Sequence, residues 1–189
     1  MKNPQGSSVE GDQVRLRPIV EADYRTLFEW RTDTEWLYLW SHPRRLVSYQ
    51  EYVTTLERSL HTEVDVWLMM IAKDNSKPIG FVYSYDTSTW DSFTYVVMFM
   101  TSDARGKHLG LEGGALFVRY LMDYFPFRKL YADVFEFNQI SQTFITHYGF
   151  EQEGVFPAHR YYQGQYWTML RLALYREKWE VIRPTLFQA

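Results

Sequence analysis

Thr101-Ser-Asp-Ala-Arg-Gly-Lys-His-Leu-Gly110 is the stretch that decides how this chain folds. It is polar, contains two glycines, and separates two apolar segments of different period. Before it, Phe93 to Met100 is a short apolar run of strand length. After it, Leu111, Ala115, Val118, Met122 and Phe125 recur at spacings of 4, 3, 4 and 3, which is one face of a helix. Leu130 to Phe135 then reads as a buried strand. Strand, loop, helix and strand in this order place a helix across a sheet. The loop also carries chemistry. A turn that aims consecutive backbone N–H groups outward, at the positive end of a helix dipole, is an anion site, and Arg105 and Lys107 add charge. A pyrophosphate is the natural occupant. The same spacing also suits a plain connection with solvated basic residues.

Working outward, Val14-Arg-Leu-Arg-Pro18 alternates apolar and basic residues and stops at proline, as a short edge strand does. Glu21 to Thr32 reads as a helix with Tyr24, Leu27 and Phe28 on one face. Ser48-Tyr-Gln-Glu51 is a capping box that opens a second helix. Val66 to Ala72, Ile79 to Tyr85 and Phe93 to Met100 are strands joined by turns. Beyond the central helix, Asn138 to His147 is a short helix stopped by Gly149. Glu151 to Tyr162 and Tyr166 to Tyr175 flank Gln163-Gly164-Gln165, a hairpin signal. The order β-α-α-β-β-β-α-β-α-β-β is α+β. It predicts a mixed sheet of six or seven strands with about four helices.

The chain has 189 residues and a formal charge of −3. Residues 1–12 read as a disordered tail and 13–189 as one domain. With 46% hydrophobic and 23% charged residues, the composition is globular and argues against disorder. Mild acidity argues against nucleic-acid binding. No apolar run approaches the roughly 20 residues that span a membrane. Met1 to Gln13 lacks the apolar core of a secretory signal. The absence of cysteine excludes disulfides, thiolate catalysis and Cys-zinc sites, and no metal is expected. A cytoplasmic protein is the expectation. Aromatics are abundant at 19%. Trp36, Tyr38 and Trp40 stand out because they share the long connection from Asp33 to Val47. They suit either an aromatic wall for a substrate or a hydrophobic plug.

The segment Arg105 to Gly110 resembles the acyl-CoA signature R-x-x-G-x-G/A of the GNAT N-acetyltransferase superfamily. Asn138-x-x-Ser141 followed by Gly149-Phe150 resembles the family's N-x-x-S…GF stretch. Glu153-Gly154 and Tyr161-Tyr-Gln-Gly-Gln-Tyr166 resemble its C-terminal hairpin. Arg15-Leu-Arg-Pro, Ala22-Asp23 and Trp30-Arg31 resemble the opening of the RimJ/RimL-like branch, which acetylates ribosomal-protein N-termini and has relatives acting on polyamines and antibiotics. The resemblance covers about residues 14–180.

The resemblance implies a GNAT fold whose fourth and fifth strands, about Tyr95 to Met100 and Leu130 to Phe135, splay apart. It implies acetyl-CoA or another acyl-CoA as co-substrate. The pyrophosphate would lie at Arg105, Gly106, Lys107, His108, Leu109 and Gly110. The acyl group would lie at the backbone of Met98, Phe99 and Met100, with Asn138 beside the sulfur and Ser141 as a further cofactor contact. The acceptor amine would meet Trp36, Tyr38, Trp40 and Tyr95. It would belong to a small molecule or a protein N-terminus; a bulky natural product such as an antibiotic is one alternative, and a degenerate domain that binds CoA or a partner without turnover is another. The protein would act as a monomer or homodimer.

Three departures from the family pattern bear on the chemistry. His108 stands where the signature has its middle glycine. Ile145 stands where the family has its acid, a tyrosine. The strand Phe93 to Met100 carries no carboxylate. Tyr148 and Tyr95 are the remaining catalytic candidates, and water can carry the amine's proton.

Overall fold

Eight strands hydrogen-bond into one mixed sheet in the order β1-β2-β3-β4-β5-β6-β8-β7. They are β1 (Val9–Glu10), β2 (Val14–Pro18), β3 (Trp67–Ala72), β4 (Pro78–Ser88), β5 (Phe93–Met100), β6 (Lys129–Phe135), β7 (Glu151–Tyr162) and β8 (Gln165–Tyr175). The helices are α1 (Tyr24–Thr32), α2 (Tyr49–Leu60), α3 (Leu109–Tyr124), α4 (Gln139–His147) and α5 (Arg176–Leu186). This computed structural model describes residues 8–34, 45–104 and 108–186. No helix among them is long and apolar enough to cross a membrane.

Every adjacent pair of strands is antiparallel except β5 and β6. Those two run parallel and share three residue pairs, Phe93–Lys129, Thr94–Leu130 and Tyr95–Tyr131. Beyond Tyr95 they part. Strand β5 stays bonded to β4 as far as Met100, and β6 stays bonded to β8 as far as Phe135. The predicted splay is therefore present, and it begins at Tyr95 and Tyr131.

Alternation along the strands sends side chains to two cores. On one face, Leu16, Met70, Val82, Leu130, Ala132 and Leu174 pack under α3 and α5. On the other, Met69, Ile71, Phe81 and Phe99 pack under Leu27 of α1 and Leu56 of α2. Ser48 caps α2 by accepting from the Glu51 backbone N–H at 3.2 Å.

Among the described residues there are one strand and one helix more than the sequence reading predicts. The extra strand lies in the stretch read as a tail. Gly11 N–H donates to the Val14 carbonyl at 2.9 Å, folding Val9–Glu10 back onto Arg15 and Leu16. A Cβ on Gly11 would stand 2.9 Å from the Val14 carbonyl oxygen and 2.7 Å from Leu116 of α3, closer than a side chain is ordinarily accommodated. The extra helix is α5. Arg176 opens it by donating to the carbonyls of Met122, Phe125 and Phe127 at 2.7–2.8 Å, and buried Trp179 anchors it.

Candidate active site

The opening between β5 and β6 leads to an apolar cleft of about 90 Å³. Val96 and Met98 border it from β5, Ala132 from β6, Phe117 from α3, and Phe144 and Ile145 from α4. Val97 of β5 borders it too. Beyond Tyr95, the β5 backbone groups that face β6 have no ladder partner there. A linear chain carrying amide groups can supply the missing bonds.

Helix α4 walls the cleft because its start is fixed. Asn138 is its N-cap, and the side-chain oxygen accepts from the Ser141 N–H at 3.2 Å. Asn138 and Ser141, two of the predicted cofactor contacts, are thus held together at the α4 terminus, and Ser141 borders the cleft. Ile145 also borders it and brings no titratable group.

The first turn of α3 lies near the same end of the molecule. His108 is the N-cap residue of this 16-residue helix, and its side chain makes no capping bond to the first turn. Its φ of −57° and ψ of −5° are ordinary right-handed values, so the backbone does not require glycine here. His108 is exposed and borders a separate hollow on the outer side of α3 with Glu112, Arg119 and His147. Leu109 packs against the core, and Gly110 is buried against Met100, where a Cβ would stand 2.4 Å from the Met100 sulfur. Arg105, Gly106 and Lys107 lie outside the described residues, as do Trp36, Tyr38 and Trp40.

Tyr148 is buried at 3% exposure, and its hydroxyl donates to the carbonyls of Gly110 and Leu111 in α3. Burial pushes its pKa up, partly offset by hydrogen bonding from the Ala115 backbone. The proton offered as a catalytic acid in the sequence reading is committed to a helix carbonyl. Of the predicted acyl contacts, Met98 borders the cleft. The Phe99 side chain belongs to the opposite face, with Trp30 and Phe81 at 5.5 and 5.3 Å between ring centroids.

That opposite face is paved with aromatic rings. Trp67, Tyr83, Tyr85, Tyr95 and Tyr131 follow one another across β3 to β6 at 4.0–5.9 Å. Tyr95 is therefore placed on this pavement, beside the opening. Burial raises its pKa, as it does for Tyr85; Tyr83 is pushed up to about 12. All three phenols stay neutral at ordinary pH. The hydroxyls of Tyr83, Tyr85 and Tyr95 make no hydrogen bond to the other described residues.

The sequence reading missed a charged pair at the end of this pavement. Asp133 of β6 accepts from Arg171 Nε and Nη2 of β8, both at 2.8 Å. The signal available was one carboxylate inside the apolar run Leu130 to Phe135. Nearby, buried Lys129 donates to Glu153 at 2.7 Å, and Glu153 also accepts from the hydroxyls of Tyr131 and Tyr175 at 2.8 and 2.9 Å. Among the described residues no cluster of His, Asp or Glu could hold a metal ion.

The family profile of the acetyltransferase (GNAT) domain matches residues 13–151. No curated protein matches the sequence. Solved structures do match in shape. The spermidine N-acetyltransferase of Vibrio cholerae in complex with CoA and spermine superposes with a TM-score of 0.82 at 16% identity, over 89% of this chain and 98% of that one. RimL, the ribosomal L7/L12 alpha-N-protein acetyltransferase in complex with CoA, gives 0.79 at 14%, over 89% and 98%. A GCN5-related N-acetyltransferase from Brucella melitensis gives 0.77 at 18%, over 97% and 86%.

Proposed function

This chain belongs to the GNAT acetyltransferase family, and on that premise we propose that it transfers an acetyl group from acetyl-CoA to a primary amine. The observation that carries this reading is the opening between β5 and β6, an apolar cleft bounded by unpaired strand backbone and set near the N-terminus of α3, which the His108 side chain does not cap. Those three features fit the three parts of acetyl-CoA: an apolar acyl group, an amide-bearing arm and a pyrophosphate.

In this reading Arg105 to Gly110 and the first turn of α3 hold the pyrophosphate, and β5 from Val96 to Met100 holds the arm. Acetyl-CoA supplies the acyl group as a thioester with a fair leaving sulfur. Phe144 and Ile145 form an apolar wall behind the acyl group. Helices α3 and α4 close one face, so the amine arrives from the aromatic face. The amine nitrogen bonds to the carbonyl carbon as the carbon–sulfur bond breaks, and the nitrogen's proton passes through water to the thiolate. No described side chain serves as an acid at the cleft. Positioning therefore carries the rate, and positioning can supply several kcal/mol of a barrier. Tyr148 fixes α4 against α3 and does not donate its proton.

Solved relatives of this fold are named for spermidine and for a ribosomal-protein N-terminus. By analogy the acceptor here is the primary amine of a small molecule or of a protein N-terminus. We place the chain in the RimJ/RimL-like branch and in the cytoplasm, as a monomer or homodimer. A second reading, CoA binding without turnover, draws on Ile145 at the cleft and on the engaged hydroxyl of Tyr148.

Calorimetric titration with CoA and a thiol-release assay with acetyl-CoA and mixed primary amines separate the two. Saturable binding with amine-dependent thiol release is the expected result. Binding without release supports the second reading, and no binding overturns both.

A further inference from the structure

We infer that Arg171 sets acceptor specificity by occupying both Asp133 and the aromatic faces around it, so that the site takes an amine with an uncharged aromatic or apolar body and disfavours polyamines. This rests on the acetyl-transfer reading above and goes beyond it by naming the acceptor's chemistry.

The guanidinium of Arg171 is held by one carboxylate and stands over three rings. Both oxygens of Asp133 accept from it at 2.8 Å. Its central carbon stands over the rings of Tyr95 at 4.8 Å, Phe156 at 5.0 Å and Tyr131 at 5.5 Å. A polycation bound on an aromatic surface uses two things, free carboxylates and open ring faces. Here the protein's own cation has taken Asp133 and stands over Tyr95, Tyr131 and Phe156. Asp133 lies two residues past the last β5–β6 pair, and its side chain is only 16% exposed. To bind an incoming ammonium it would have to weaken a bidentate pair in a partly buried setting, which is costly.

The other charges on this face give a polycation little help. Glu153 is engaged by Lys129, Tyr131 and Tyr175. Asp86, near Tyr85 and Tyr95, is exposed at the rim. Arg31 of α1 adds a second guanidinium beside Tyr52 and Tyr83. Among the described residues, what remains is ring surface and the hydroxyls of Tyr83, Tyr85 and Tyr95. That combination suits an apolar body beside one amine that a phenol oxygen can orient.

The test uses the full chain with saturating acetyl-CoA and two primary alkyl amines, 2-phenylethylamine and spermidine. The expected kcat/KM favours 2-phenylethylamine by about tenfold or more, the scale of discrimination a pocket can set. Arg171→Gln unmasks Asp133 and is expected to shift the ratio toward spermidine by about tenfold, mainly through a lower KM for spermidine. Asp133→Asn leaves the guanidinium uncompensated and should shift the ratio the other way, which keeps the proposal exposed should Arg171→Gln fail to fold. A wild-type preference for spermidine, or a ratio that neither substitution moves, overturns the proposal and leaves acetyl transfer standing. Transfer to neither amine, by protein that binds CoA, overturns the transfer reading and this proposal with it.

Discussion

Gly114 and Tyr148 compete for one volume. A Cβ on Gly114 would lie 2.8 Å from the Tyr148 hydroxyl oxygen and 3.1 Å from its ring carbon Cζ. Gly114→Ala must displace a ring that is 3% exposed, and such overpacking costs about 1–3 kcal/mol. Urea denaturation should show this loss. The loss should be smaller in a Tyr148→Phe background, since the clashing oxygen is then gone and neighbouring sites are not additive. Tyr148→Phe alone removes the hydrogen bonds to Gly110 and Leu111, at a cost of about 1 kcal/mol. Its turnover should stay within about tenfold of wild type. A fall of about 100-fold, the scale of lost acid catalysis, would instead make Tyr148 the acid. Its partners were not legible in the sequence, because adjacency to Ile145 says nothing of which way a residue at a helix C-cap turns.

Asn138 and His108 each stand at the start of a helix that frames the cleft, with different consequences. Asn138 caps α4 through Ser141, so Asn138→Ala should cost about 1 kcal/mol in thermal or urea unfolding. It should also weaken CoA binding, because α4 carries Phe144 and Ile145. His108→Gly restores the residue of the signature but frees no conformation that the backbone uses, given its φ of −57°. CoA affinity measured by titration should be unchanged. The longer elements were legible because period and length agree: α3 and the strands on either side follow from their apolar spacing alone. Strand β1 was not, since two residues have no period and its position depends on Gly11 meeting α3. Nor was α5, whose first residue is held by carbonyls about 50 positions earlier. The splay was inferred from family likeness, but its starting point at Tyr95 is a matter of strand register, and the Asp133–Arg171 pair depends on that register too.

At the scale of the molecule, the sheet is two half-sheets, β1 to β5 and β6 to β8, joined by three residue pairs and bridged by α3. The second half holds the charge network around Glu153. Burial disfavours the Glu153 carboxylate, but bonds from Lys129, Tyr131 and Tyr175 outweigh it and hold its pKa below the usual range. A folded pKa below the unfolded one means stabilisation that is present above about pH 4.3 and lost as pH falls through the folded value. Melting temperatures taken from pH 7 to pH 3 should drop at the acid end, and Glu153→Gln should start lower and drop less. The narrow join has another consequence. Where β5 and β6 part, the sheet contains two interior edges with bonding groups exposed to any strand that reaches them, and unprotected edges are sites of self-association. Co-substrate bound between them would act as a stopper. Concentrated protein held without CoA should therefore scatter light sooner on incubation than the same protein saturated with it.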